Sequence, residues 1–346
     1  MNLNETYYRR AISAIGFSLL IFLALIELFG VFVTGFVSLM LELLFVSHPV
    51  AETVTYQVIF AAGYLFCFMI PVAFLRIFIR KAGYTYQPMY SPARISPWLP
   101  LIVLSGVTLI FSAAYLGSYF MDLIGYSTEG IVSAVERKAD PKIYDLVLEF
   151  LVVCLVPGFC EEFLFRGAIL ANCLPFGKGR AILISALLFS IMHRNAEQIF
   201  YAFVAGILLG ILYVKTENIW HCVILHTVNN FISITQVTVV ARVKDGLLAM
   251  TYVSLLELLI FSLGIVSTVI LILKFFSKKD TKIKNGIFGK DLPAVGSYAS
   301  CGIEPRRAFR LFWTPSMIVF LSLCVVELLL LIVIVLWGGN LLGTLG

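Results

Sequence analysis

Charge is scarce in this sequence: Asp, Glu, Lys and Arg together make up 13% of 346 residues, against 60% hydrophobic residues. A soluble domain carries about twice that charged fraction, so the soluble globular class is excluded. The apolar runs also far exceed the alternating ten-residue strands of an outer-membrane barrel, which excludes that architecture. Paired cysteines are missing too. The seven present lie mostly inside apolar runs (Cys67, Cys154, Cys160, Cys222, Cys324), show no metal-binding spacing and read as packing residues. No internal repeat is visible, and the Gly/Pro-containing loop 278–310 is too short for a soluble domain.

What is there is built for lipid, with a mean hydropathy of +0.99. Backbone groups in hydrocarbon must pair within their own segment, so the expected fold is all-α, a polytopic helical membrane protein. Apolar stretches fall near 12–44, 56–79, 98–124, 144–171, 180–194, 197–214, 219–241, 249–274 and 314–338, which gives about eight to nine transmembrane helices. The first run is too long for one perpendicular helix and must tilt, protrude or break near Gly30 or Gly35. It is also too long for the apolar region of a signal peptide and reads as a retained anchor.

Basic residues set the orientation. Arg9 and Arg10 precede the first span, Arg80, Lys81 and Arg94 follow the second, and Lys178 and Arg180 follow the fourth, while 46–55 has neither Lys nor Arg. Nine basic residues lie between Lys274 and Arg310 against three acidic ones, a loop suited to anionic lipid rather than nucleic acid. All these clusters fall on the cytoplasmic side when the amino terminus is inside, which puts the Asn4-Glu-Thr6 glycosylation pattern on the wrong side. The loop 125–143 and Arg242–Asp245 are discordant. The expected organisation is amino-terminal helices over 1–142, a core over 143–241, and carboxy-terminal helices over 242–346 with the basic loop at 275–311.

Against this background, ionisable groups inside apolar runs stand out, since a charged side chain at the bilayer centre costs at least ~2.5–3.5 kcal/mol. Three patterns carry them: Glu161-Glu162-x-x-x-Arg166, Phe189-x-x-x-His193 and His226-x-x-x-Asn230. Glu162 and Arg166 stand four apart on one helix face and can pair, whereas Glu161 points about 100° away toward another neighbour. His226 and Asn230 share a face. Counted from the inferred cytoplasmic ends, Glu161, His193 and His226 lie at depths of roughly 16, 20 and 13 Å, a single layer near mid-membrane. A carboxylate with a histidine can bind and deprotonate water, and a second histidine with an amide can donate to a developing oxyanion. The same groups could instead hold a divalent metal, zinc if one is present, through Glu161, His193 and His226.

The three motifs in this order resemble the CPBP family of intramembrane proteases, the CAAX protease and bacteriocin-processing (Abi) family that includes the type II CAAX prenyl endopeptidases. The resemblance covers about 145–235. It implies that Glu161 and His193 activate water, that His226 and Asn230 stabilise the oxyanion or bind metal, and that Glu162 and Arg166 form a supporting ion pair. Asn rather than Asp at 230 favours hydrogen-bond donation over metal ligation. The implied activity is hydrolysis of a peptide bond in a membrane-associated or lipid-anchored substrate. The implied location is the bacterial cytoplasmic membrane, or the endoplasmic reticulum for a eukaryotic chain. Rival patterns are absent: no His-Glu-x-x-His, no Gly-x-Ser-Gly, and no Gly-x-Gly-Asp to accompany Tyr144-Asp145.

Two other classes fit the same residues: a non-catalytic scaffold or bacteriocin-immunity-type protein on this fold, and a proton- or metal-coupled transporter. Other polar residues read as structural. His221 beside Trp220 belongs to the interface, Phe189 packs beneath His193, and Gly167, Gly206 and Gly210 mark close helix contacts. His48, Glu27, Glu42, Glu149, Glu257 and Glu327 have no partner assigned by spacing.

Overall fold

A computed structural model describes residues 3–43, 49–81, 95–123, 126, 143–243, 245–276 and 303–343. His48, Arg94, the charged residues of 127–142 and the basic stretch 277–302 lie outside the described residues, as does most of the discordant loop 125–143.

No strand occurs among the described residues. The helices are α1 (Leu3–Leu43), α2 (Pro49–Lys81), α3 (Leu99–Leu123), α4 (143–173), α5 (Lys178–Met192), α6 (Ala196–Thr216), α7 (Ile219–Arg242), α8 (Gly246–Phe276), α9 (Pro305–Phe312) and α10 (Pro315–Gly343). Seven of them, α1, α2, α3, α6, α7, α8 and α10, are long and apolar enough to cross a membrane. The chain is therefore an all-α integral membrane protein. The two remaining apolar runs differ from full spans: α5 has 15 residues, about 22 Å against a core of ~30 Å, and α4 changes register twice.

Of the three ways open to the long first run, tilting, protruding or breaking, the break is not the one found. α1 is one helix of 41 residues, about 60 Å long, so it tilts or protrudes. Gly30 and Gly35 have open space where a side chain would project, so no neighbouring element kinks the helix there.

α4 and α7 form the centre. α4 packs against α2 and α7, α7 also packs on α3 and α8, and the α5–α6 hairpin covers α4 on another side. α1 lies along α2 and α10. Small residues allow the closest approaches. A Cβ on Gly206 would come within 2.8 Å of Ala186 Cα, and one on Gly210 within 3.1 Å of Ile182 Cγ2, so α5 and α6 meet as the small-residue positions predict. Gly158 of α4 approaches α7 just as closely, with Thr227 Oγ1 only 2.5 Å from the place of a Cβ.

The turns that hold the central helices antiparallel are locally specified. Asn195 and Asn218 cap α6 and α7, their side chains accepting from the N–H groups of Glu197 and Trp220 at 3.0 Å each. Glu217 ends α6 in the left-handed conformation at φ 51°, leaving only two residues between α6 and α7. Large apolar side chains such as Leu258, Val266 and Leu273 of α8 are exposed, as a lipid-facing surface requires.

Candidate active site

The carboxylates sit on an α-helical turn between two π-helical stretches. Within α4, Phe150–Leu155 and Phe163–Leu170 are π-helical and Val156–Glu162 is α-helical. Pro157 has no N–H to donate and its ring crowds the carbonyl four residues back. The wider register precedes it, with Val156 N–H donating to Leu151 O, five residues back. Such stretches occur frequently at functional sites, where they change the direction in which successive side chains project.

Glu162 is fully buried and central to a sealed network. Its Oε1 accepts from Arg166 Nη1 at 2.8 Å and from His226 Nδ1 at 2.8 Å. Arg166, also fully buried, donates weakly to Gly206 O at 3.4 Å and lies 4.5 Å above the Phe189 ring, a cation–π contact. The pairing of Glu162 with Arg166 follows the four-residue spacing. Its bond to His226, from another helix, does not, and spacing alone left it invisible.

Glu161 points elsewhere, as its position on the helix requires. One oxygen accepts a 2.5 Å hydrogen bond from Tyr64 Oη of α2. The other, Oε2, is buried without a hydrogen-bond partner among the described residues and lies 3.9 Å from His226 Nε2. That separation is too long for a direct hydrogen bond. With Nδ1 committed to Glu162, Nε2 is the nitrogen that His226 offers to the cavity.

His193 caps the carboxy-terminal end of α5, and its Nδ1 lies 2.8 Å from Phe189 O. A carbonyl only accepts, so Nδ1 carries a proton and Nε2 is the nitrogen left to face the cavity. Phe189 stands edge-on to both histidines, with centroids 4.8 Å from His193 and 6.0 Å from His226. Its packing role beneath His193 is therefore shared with His226 and Arg166.

A cavity of about 320 Å³ joins these groups, lined by Glu161, His193, His226 and Asn230 together with Gln198, Tyr201, Asn229 and Ser233. Ile110, Val153, Ile234 and Val237 supply an apolar wall. All four candidate catalytic residues thus face one space. Glu162 and Arg166 support it from behind. Sequence reasoning missed Tyr64, whose only signal is a tyrosine inside an apolar helix, and Asn229, whose Oδ1 is buried without a partner. It also missed Arg194, which follows His193 at φ 51° and donates from Nη1 to Glu27 and to Glu327, the latter at 2.7 Å. Glu27 and Glu327 thereby gain the partner that spacing did not assign, and Glu257 accepts from Tyr115 and Gln236. His221 proves structural: its Nε2 accepts from Ser96 N–H at 3.1 Å.

The metal alternative can be tested on the donors. Among the described residues, no three His, Cys, Asp or Glu side chains are grouped to hold an ion. Both candidate histidines tie Nδ1 to an acceptor, His226 to Glu162 and His193 to a carbonyl, which leaves Nε2 of each as the nitrogen open to water or to an ion.

Fold and site together define an integral membrane protein with a buried carboxylate–histidine centre between helices. Residues 143–232 match the family model described as type II CAAX prenyl endopeptidase Rce1-like, and that segment holds all of the motif residues. No curated protein and no solved structure matched the chain.

Proposed function

We propose that the protein is an intramembrane endopeptidase that hydrolyses a peptide bond of a membrane-associated or lipid-anchored substrate with a water activated by Glu161 and His193. The observation that carries this reading is the Glu161 carboxylate, with one oxygen held by Tyr64 and the other buried, unpartnered and facing a cavity shared with two histidines and an asparagine. A buried carboxylate with a spare oxygen is costly unless it has a task.

In the proposed reaction, water bound between Glu161 and His193 Nε2 loses a proton to this pair and attacks the scissile carbonyl carbon. The oxyanion receives hydrogen bonds from Asn230 Nδ2 and from His226 Nε2 in its protonated form. The proton taken from water then passes to the leaving amine, and the carbon–nitrogen bond breaks. Glu162 and Arg166 bear on this only by orienting His226. The match of residues 143–232 to the CAAX-type family model supports the choice of peptide hydrolysis over transport.

The test is cleavage of a synthetic lipid-anchored peptide by the purified protein in bilayers. Glu161→Gln and His193→Ala are expected to lower turnover at least about 100-fold while the protein stays folded, since a positioned general base contributes that much or more. Wild-type turnover in both variants would refute the mechanism. Full cellular function with Glu161→Gln would instead support the scaffold reading.

A further inference from the structure

α5 has two working faces. Phe189 and His193 look into the cavity just described, while Leu183, Leu187 and Ile191, four residues apart, line a second space on the other side. This second space is a groove of about 990 Å³ between α5, α9 and α10, at the top of the ~300–1,000 Å³ range of small-molecule sites.

Its lining is almost wholly apolar, with one cationic exception. Arg180, at the start of α5, donates through Nη2 to Ile303 O at 3.2 Å. Its Nη1 is buried and has no hydrogen-bond partner among the described residues. Arg180 is the one charged group lining this groove, and at the start of α5 it marks the groove's mouth; a guanidinium there favours an anion attached to something apolar.

α9 places that mouth at the membrane surface. The helix is amphipathic: Ala308 and Phe312 are buried, while Arg306 and Arg310 are exposed beside Phe309 and Trp313. Basic residues with an exposed tryptophan and phenylalanine on a short helix are the pattern of an element lying in the headgroup region. Arg307 is tied to Glu5 of α1 at 2.5 Å, which fixes α9 against the bundle.

We propose that this groove binds one anionic glycerophospholipid, with its phosphate held by Arg180 and its acyl chains lying along α5 and α10. The choice of a lipid from the surrounding leaflet rests on charge complementarity at one end, an apolar lining over the rest, and an opening beside an interfacial helix. The proposal does not depend on the hydrolytic reading, since it concerns the opposite face of α5.

Trp313 lines the groove and supplies a probe. The full-length protein is placed in nanodiscs of unlabelled phosphatidylcholine containing brominated phosphatidylglycerol or brominated phosphatidylcholine, and the Trp313 signal is taken as the difference between wild type and Trp313→Phe. Brominated phosphatidylglycerol is expected to quench at about fivefold lower mole fraction than brominated phosphatidylcholine, the factor that one basic group contributes at an anionic membrane surface. Arg180→Gln should remove that preference and Arg180→Lys retain it in part. Leu187→Trp, which fills the groove with Arg180 intact, should displace the lipid, read as fewer phosphatidylglycerol molecules retained in native mass spectrometry.

Equal quenching by the two lipids would overturn the proposal. So would a preference that survives Arg180→Gln but disappears with Arg306→Gln and Arg310→Gln, which would be general surface attraction. Quenching by neither lipid would mean that protein, from this chain or a second copy, fills the groove. Relief of quenching by millimolar inorganic phosphate alone would mark an ion site rather than a lipid site, and would also overturn it.

Discussion

Two arginines sit near the candidate site, and each contacts carboxylate, yet they are built on opposite terms. Arg166 and its partner Glu162 have side chains at 0% exposure, and the same Glu162 oxygen also receives His226. Arg194 is 24% exposed and meets Glu27 at 59% and Glu327 at 34%. The first cluster lies wholly within the segment matched by the Rce1-like model, whereas the second reaches out to α1 and α10, beyond it. A sealed charge has only its protein partners to replace water, so losing one strands the rest. An open cluster can fall back on water or headgroups, and its pairs are worth little apiece. The difference separates a network that the fold cannot do without from one that tunes where a turn sits.

The largest effect is expected from breaking the sealed cluster on one side. Arg166→Met leaves Glu162 buried and short of its strongest partner, and should cost about 3–5 kcal/mol of stability. Thermal unfolding of the purified protein in detergent would measure it. Replacing both partners together, Arg166→Met with Glu162→Leu, should recover much of that stability because no orphan charge remains. It should not recover activity, because His226 then loses the acceptor that orients its ring. An Arg166→Met protein as stable as wild type would erase the contrast between the clusters.

How much of this was legible beforehand follows from the range of each interaction. The Glu162–Arg166 pair was readable because it is local, four residues on one helix, and it survives the π-helical stretch that begins between its members. The convergence of Glu161, His193, His226 and Asn230 was readable only as a common depth along separate helices. The cavity gives that convergence its content. Tyr64 and the Glu162–His226 bond were not readable, since both join residues 64 or more positions apart with no pattern to link them. Arg194 was overlooked for a different reason: beside His193 in a short polar turn it resembles an ordinary loop residue, and its acidic partners are 167 and 133 positions away. For the long first run, length alone left tilting, protruding and a break near glycine all open. Glycine permits a bend without causing one, and no packing partner forces it at Gly30 or Gly35.

An intermediate effect tests whether the sealed cluster depends on close helix approach. Gly158 faces Thr227, next to His226, with Oγ1 2.5 Å and the backbone nitrogen 3.2 Å from the place of a Cβ. Gly158→Ala must push α7 from α4 or force Thr227 to rotate, at a cost of about 1–3 kcal/mol typical of overpacking. Displacing α7 lengthens the His226–Glu162 bond, so turnover should fall along with stability. Pairing it with Thr227→Ser, which removes the methyl but keeps the hydroxyl, should help little, because the hydroxyl oxygen is the nearest atom. A Gly158→Ala variant with unchanged stability would show that the helices have slack at this point.

The smallest expected effect belongs to the open cluster, and salt separates it from the sealed one. Glu27→Gln and Glu327→Gln each remove one ion pair while the other continues to hold Arg194, and each should cost no more than about 1 kcal/mol. Screening shortens to about 3 Å at 1 M salt, so wild type and variants should converge in stability there. The Arg166→Met deficit should persist, because no ion reaches a pair at 0% exposure. The double variant Glu27→Gln with Glu327→Gln leaves Arg194 without either tie to α1 and α10, and the turn after His193 then keeps its local bonds, such as Arg194 N–H to Ile191 O and the Asn195 cap. Its turnover should therefore drop several-fold more than its stability predicts, with KM little changed, because the substrate cavity is intact while the general base is less well held. Equal salt sensitivity for the Arg166 and Arg194 variants would overturn the distinction, since it would mean that water and ions reach both arginines alike.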